Sequence, residues 1–259
     1  MKLSKAFGPL TDLRYAFQAA FVPTLCDIAQ TPSMLLSPVS ISRRFMAYVW
    51  GLFGNGTDEA ARAVKVGLIP SHAYGIVLDI GAGHGHTADY LDHQRVTKYV
   101  ALEPNTLMHK EIRARANDAG FSEEDGTLII LSYGAQDVVQ ICASLGDNTV
   151  DTLISVLTLC SIPSPEHTVK NLVGHVLKPG GTFLFYEHVR NPLEDVAWWQ
   201  WFWTPLWKTA FDGCRLDRPT HLWIDAMPVW ETSEIWGKEG EDEESLFWHR
   251  VGRFVKKRV

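Results

Sequence analysis

The stretch VLDIGAGHGH, Val77 to His86, sets a glycine-rich turn directly between a short apolar run and a polar segment. A turn of this kind gives the backbone unusual angles and leaves N–H groups free to meet a ligand without obstruction by side chains. Gly81, Gly83 and Gly85 form G-x-G-x-G. The dinucleotide fingerprint G-x-G-x-x-G would need glycine where His86 stands, which argues against a nicotinamide or flavin enzyme. Asp79, two residues before the first glycine, would repel a pyrophosphate and attract a cationic amine.

The rest of the chain supplies the sheet that such a turn requires. Before about Gly75 the pattern is helical: SPVSISRRFMAYVWGLFG carries Phe45, Val49 and Leu52 at helical spacing, and its glycines are expected to end that helix. From Gly75 onward, short apolar runs alternate with helical stretches, which is how a parallel sheet with crossover helices reads in sequence. Strands are expected at 76–80, 99–102, 127–131, 150–156 and 182–186, with helices near 87–93, 105–119, 137–143 and 166–177. LKPGG, Leu177 to Gly181, should stop the last of these helices and turn the chain into the fifth strand. A helix from Pro219 and two further strands, 229–236 and 247–255, complete the pattern. The organisation expected is an N-terminal helical segment, 1–74, on one compact α/β domain, 75–259.

Glu103 closes the second strand in YVALEPN, where a carboxylate can accept hydrogen bonds from both hydroxyls of a ribose. Acidic residues at two successive strand ends suit a ligand that joins a charged amino acid to a nucleoside, and S-adenosyl-L-methionine is that ligand. With DIGAGHG, LEPN, GAQD and LKPGG in this order, the sequence resembles the class I S-adenosylmethionine-dependent methyltransferases. The resemblance implies a Rossmann-like, mostly parallel seven-stranded sheet whose last strand is antiparallel. It also implies roles: Gly81, Ala82, Gly83 and Gly85 around the methionine part, Glu103 on the ribose, Gly134, Ala135 and Gln136 near the adenine, and Val156 facing the methionine end, with Asp79, Pro104 and Asn105 as further candidate cofactor-binding residues. A narrower resemblance, carried by LCS (Leu159 to Ser161), EHV (Glu187 to Val189) and DGC.L.R (Asp212 to Arg218), is to the methyltransferase-like family that includes animal alkyl-thiol methyltransferases.

AWWQWFWTPLW, Ala197 to Trp207, holds five of the chain's ten tryptophans. On a helix it would be apolar nearly all round, with Trp199, Phe202, Trp203 and Leu206 on one face. In this fold the segment after the fifth strand follows the carboxyl edge of the sheet, where ligands bind, so Trp199 and Trp203 are expected to wall a hydrophobic substrate. Core packing and contact with a membrane surface are the other uses of such a run. Tyr48 and Cys214 are further candidates to line the pocket. Transfer to sulfur needs little help, because a thiol ionises near pH ~8.5, whereas a phenol or alcohol benefits from a positioned base. His188 and Asp212 are the candidate bases, with Glu187 behind them.

The function expected is therefore methyl transfer from S-adenosyl-L-methionine to sulfur or oxygen of a hydrophobic small molecule. The alternative is a protein of the same fold that binds the cofactor but acts as a non-methylating catalyst or scaffold. A net charge of −6 with no long basic tract disfavours nucleic-acid substrates. Four scattered cysteines without a C-x-x-C pair give no zinc-binding spacing and suit a reducing compartment. Tyr15 to Cys26 is the nearest approach to a membrane span, and it is short of the ~20 residues required and interrupted by Pro23. A cytoplasmic location is expected, with peripheral membrane contact as the alternative use of the tryptophans.

Overall fold

The computed structural model describes residues 1–258; Val259, the last residue of the expected α/β domain, lies outside them. Among these residues, seven strands form one sheet: β1 (Gly75–Ile80), β2 (Val96–Leu102), β3 (Leu128–Leu131), β4 (Val150–Val156), β5 (Leu177–Val189), β6 (Trp230–Gly237) and β7 (Trp248–Lys256). Their order is β3-β2-β1-β4-β5-β7-β6. Strands β1 to β5 are mutually parallel, and β7 runs antiparallel to both of its neighbours. This is the Rossmann-like sheet with a reversed last strand that the sequence implied. Strand order turns back between β1 and β4, and in open α/β sheets that switch point opens a crevice at the carboxyl ends of the strands. The glycine-rich loop leaves β1 at this point.

Three helices precede the sheet, α1 (Leu3–Ala6), α2 (Pro9–Gln30) and α3 (Pro38–His72). The last of them corrects the expectation that the glycines near residue 54 end a helix, because α3 runs on for 35 residues. Its start is conventional, with Pro38 in the first turn and Ser37 Oγ accepting the Ser40 N–H at 3.3 Å. Its continuation follows from a buried stripe at Val49, Gly54, Asp58, Ala61, Lys65, Leu68 and Ile69. Packing this stripe on the domain outweighs roughly 1 kcal/mol of helix propensity lost at each interior glycine. Because the stripe includes Asp58 and Lys65, hydrophobic periodicity conceals it. The expected helix at 87–93 also differs: His86–Tyr90 is a single 3₁₀ turn, and α3 contacts it on this side of the sheet.

The remaining α-helices among the described residues are α4 (His109–Asp118), α5 (Val138–Leu145), α6 (Pro165–Asn171), α7 (Glu194–Ala210) and α8 (Thr220–Asp225). The core lies on both faces of the sheet, one layer around Leu78, Leu153, Phe183 and Phe185 and the other around Val77, Tyr99, Ile154 and Leu184. A third cluster joins α2, α3 and α7 through Ala16, Ala20, Val49, Trp203, Trp207 and Phe211.

The tryptophan run is helix α7, and its members have different environments. Trp203 is buried, and its Nε1 donates to the Ala6 carbonyl at 2.6 Å, while Trp199 meets Phe7 edge to face. Trp198, Trp201, Phe202 and Leu206 are exposed, as are Phe17, Phe21 and Val22 on α2. No helix of the described residues is long and apolar enough to cross a membrane. Trp203→Phe should cost about 1 kcal/mol by removing one hydrogen bond, lowering the melting temperature by roughly 2–4 °C. Thermal unfolding would measure that loss. A change in KM for the acceptor would contradict this purely structural role.

Candidate active site

Two cavities meet at the carboxyl ends of β1, β4 and β5. The first, about 310 Å³, opens between the N-terminal part of α3 and the loops after β1, β2 and β3. Glu103 is at its edge, 7% exposed, with Oε2 accepting the Gly83 N–H at 2.9 Å and Oε1 accepting that of Asn105 at 2.8 Å. Burial pushes its pKa up to about 7 against the opposing pull of these two N–H donors. Pro104, Asn105, Gly134, Ala135, Gln136 and Val156 line the same cleft. Asn105 also ties it to α3, since its Nδ2 donates to the Arg43 carbonyl at 2.8 Å.

The glycine loop corrects one expectation. Its N–H groups are not free: those of Gly81 and Ala82 donate to the Leu102 carbonyl, that of Gly83 to Glu103 and that of Gly85 to the Ala82 carbonyl. A phosphate cradle is thereby absent at these four positions. The glycines serve conformation and close approach instead. Gly81 sits at φ +65° with the Thr158 side chain 2.4 Å from where a Cβ would be, and at Gly83, φ +56°, a Cβ would fall 2.9 Å from Trp50 Nε1. Gly85 lines neither cavity; a Cβ there would come within 3.0 Å of Ile112 Cα on α4, so glycine permits the close approach of loop and helix.

Behind the loop is a polar recess of about 30 Å³ bordered by Asp58, Lys65, Asp79, Ala82 and His86 and reached past Trp50. Asp79 is 1% exposed and accepts from Tyr99 Oη at 2.9 Å, and burial raises its pKa to about 6. Lys65 Nζ donates to Asp58 Oδ1 at 2.7 Å, and Tyr90 Oη donates to the other oxygen at 3.0 Å. Burial lowers His86 to about 4, so its ring is neutral near pH 7. Trp50 Nε1 and both His86 ring nitrogens are buried without a partner among the described residues. Unmatched polar atoms beside a cleft are expected where a ligand completes the hydrogen bonding.

The second cavity, about 580 Å³, is walled by Phe53 and Val49 of α3, Trp207 and Phe211 from the α7 region, and Tyr186 and Phe247 of the sheet side. Met46, Trp50, Leu157 and Ser161 border both cavities. Leu157, at φ +54°, starts the turn that separates them, and the fully buried Glu187 fixes this turn. Glu187 Oε1 accepts from Ser155 Oγ at 2.7 Å, Thr158 N at 2.9 Å and Leu159 N at 3.1 Å.

Several candidate positions fall elsewhere than expected. His188 and Cys214 line the apolar cavity, whereas Asp212 lines the other cleft and accepts from Ser42 Oγ at 2.5 Å. His188 and Asp212 therefore do not face a common acceptor atom as a pair of bases. Glu187 alternates to the opposite side of β5 from His188 and acts on the turn rather than on the cavity. Trp199 and Trp203 border neither cavity, because a helix turns successive residues apart and this face of α7 meets α1. Tyr48 is also outside both, its hydroxyl donating to Asp27 Oδ2 at 2.7 Å and so fastening α3 to α2. The residues that sequence reasoning missed are Met46, Trp50 and Phe53 on α3, Leu157 and Thr158 after β4, and Phe211. The aromatic spacing of Trp50 and Phe53 was the available signal, but the expected glycine stop hid its reach.

Both raised carboxyls titrate near neutrality, and a ribose or an ammonium group prefers their ionised forms. Cofactor affinity should therefore strengthen as pH rises, changing up to about tenfold per pH unit below 7 and more steeply below 6. The stability of the empty protein has the opposite sign. The neutral carboxyls' advantage is complete below the unfolded values and is lost as pH rises through about 6 for Asp79 and about 7 for Glu103. Calorimetric titrations between pH 5.5 and 8 would check this, and a flat affinity profile would contradict it.

Residues 78–185 match a family model described as a methyltransferase domain. The chain is 38% identical over 172 residues to a human thiol S-methyltransferase (TMT1A), covering 64% of this chain and 61% of that one. It is 32% identical over 162 residues to the thiol S-methyltransferase TMT1B of Rattus norvegicus, covering 62% of each. The matched region thus spans about three fifths of the length of these curated relatives. Among solved structures, an O-methyltransferase family protein from Burkholderia thailandensis superposes with a TM-score of 0.59 at 12% identity, covering 97% of this chain and 72% of that one. That likeness concerns the fold alone.

Proposed function

Because residues 78–185 match the methyltransferase-domain family and stand on its Rossmann-like fold, we propose that this chain transfers a methyl group from S-adenosyl-L-methionine to the sulfur of a hydrophobic small-molecule thiol. The carrying observation is the large aromatic-walled cavity that abuts the Glu103 cleft at Met46, Trp50, Leu157 and Ser161. The cofactor supplies an electrophilic methyl on a sulfonium. Glu103 would hold the ribose hydroxyls, Gly134 to Gln136 would flank the adenine, and Asp79 and Val156 would lie toward the amino-acid end. Trp50 offers an unpartnered N–H beside the same cleft.

What the chain adds is position and dryness. Transfer discharges the sulfonium, so an apolar enclosure that brings acceptor and methyl together while excluding water favours the reaction. Sulfur is favoured over oxygen because Asp212, the carboxylate among the two candidate bases, faces the other cleft, and a thiol ionises with little help. The thiol S-methyltransferase relatives support the same choice.

The test is turnover of methyl-labelled S-adenosylmethionine against hydrophobic thiols, phenols and carboxylic acids, with the labelled product and S-adenosylhomocysteine both measured. A labelled thioether is the expected product. A labelled ether or ester would overturn the preference for sulfur. Tight cofactor binding without transfer to any member would favour the non-methylating alternative.

A further inference from the structure

Cys160, His188 and Cys214 come from three separate places in the chain, the turn after β4, the end of β5 and the turn after α7, and converge on the apolar cavity. Cys214 Sγ lies 3.3 Å from Cys160 Sγ and 3.3 Å from His188 Nε2. The three ligand-type atoms all lie within 4.8 Å of one another. Cys160 is 2% exposed and His188 5%, and His188 Nδ1 has no partner among the described residues. Two thiols and an imidazole offer one another only weak hydrogen bonds, so their convergence in an apolar wall is not explained by their own pairing.

A divalent metal would explain it. Zinc bonds of ~2.3 Å to sulfur and ~2.0–2.1 Å to nitrogen in a tetrahedron place neighbouring ligand atoms roughly 3.5–3.8 Å apart. The triangle seen here need open by only a few tenths of an ångström at its two short edges. Two thiolates neutralise the ion's charge, which lowers the cost of burying it. Thiolate and imidazole are soft donors that select zinc over magnesium or calcium. Three protein ligands with a fourth position open to a substrate cavity is the arrangement of a catalytic rather than a structural zinc centre.

We propose that Cys160, His188 and Cys214 bind one zinc ion whose fourth coordination position takes the acceptor's sulfur. This deepens, and rests on, the thiol-methylation reading. On ligation the acceptor RSH loses its proton to solvent and the sulfur binds as thiolate. A sulfur lone pair then forms the new S–CH₃ bond as the methyl–sulfonium bond breaks, with that bond's electron pair returning to the departing sulfur. The neutral thioether is a poor ligand and leaves, and water or the next thiol occupies the position. His188 is thereby a ligand instead of a general base, and no carboxylate is needed in the cavity.

Cobalt(II) is the probe, added to the full-length, fully reduced chain. The expected result is one equivalent bound with thiolate-to-cobalt charge transfer and the intense visible bands of tetrahedral cobalt, displaced by zinc. Cys160→Ser and, as a second variant at the less buried sulfur, Cys214→Ser should each weaken zinc binding at least a hundredfold while unchanged calorimetric affinity for S-adenosylmethionine reports an intact fold. An alkanethiol should shift the visible bands. Absence of thiolate–cobalt absorption from the reduced protein would overturn the site, and so would isolation of a Cys160–Cys214 disulfide that persists with metal present. Tetrahedral cobalt that is indifferent to alkanethiol would overturn the role of the fourth position. Tetrahedral cobalt in a protein that methylates oxygen but no thiol would instead sink the functional reading and leave the metal site standing.

Discussion

Glu103→Ala should weaken binding of S-adenosylmethionine by about a hundredfold to ten-thousandfold. A carboxylate that accepts two ribose hydroxyls makes two charge-assisted hydrogen bonds at ~1.5–3 kcal/mol each, or ~3–6 kcal/mol together. The position is pre-formed, since the Gly83 and Asn105 N–H groups already hold both oxygens. The substitution also leaves those two N–H donors without acceptors, which loosens the glycine loop. Glu103→Gln keeps one amide oxygen for them and should lose less. Isothermal titration of the three proteins would rank them, and an affinity for Glu103→Ala within threefold of the parent would remove Glu103 from the cofactor site.

Lys65→Met should destabilise the protein by ~3–5 kcal/mol, because it strands Asp58 as a buried carboxylate without its counter-charge, keeping only the Tyr90 hydroxyl as donor. Lys65 and Asp58 are 4% and 7% exposed, and their bond joins positions about two turns apart on the buried face of α3. Burial alone would raise Asp58, but the Lys65 ammonium and the Tyr90 hydroxyl outweigh it and hold the carboxyl below its ordinary range. In the parent, this contribution is present above pH ~3.8 and is lost as pH falls through the depressed value. In the variant the sign inverts, so its deficit should shrink toward acid pH as Asp58 becomes neutral. Denaturant unfolding at pH 5 and pH 8 distinguishes the two behaviours. Adding Asp58→Leu to the variant should recover much of the loss. A single-variant cost below 1 kcal/mol would mean that the carboxylate finds water.

How much of this was legible in sequence depends on which physical signal each element emits. The sheet was readable because strands buried on both faces are largely apolar, as in YVAL (Tyr99 to Leu102) and FLF (Phe183 to Phe185), and LKPGG punctuates the chain. The gathering of Glu103, the glycine loop and Gly134 to Gln136 at one cleft was readable because these residues follow strand ends, positions fixed by the alternation of strand and helix. Helix α3 was not, because it buries an ion pair and a glycine where a hydrophobic stripe was sought. The wall of the second cavity was only half legible. Five tryptophans in eleven residues announced an unusual helix, but which of them face inward depends on where α1 and α2 settle, and sequence distance does not set that. Trp207 and Phe211 reach the cavity; Trp199 and Trp203 secure the N-terminal helices. The convergence of Cys160, His188 and Cys214 was invisible for the same reason, since 54 positions separate the two sulfurs.

Met46, Trp50, Leu157 and Ser161 border both the Glu103 cleft and the aromatic-walled cavity, the proposed cofactor and acceptor sites. If one ligand shifts this shared partition, the two occupancies become thermodynamically linked. Whatever factor the cofactor imposes on acceptor affinity by shifting Trp50, the acceptor must impose in return on cofactor affinity. S-Adenosylhomocysteine, lacking the methyl and the positive charge, would meet the same partition differently. On the proposed function, the indole of Trp50 would be the place where a loaded site differs from a spent one.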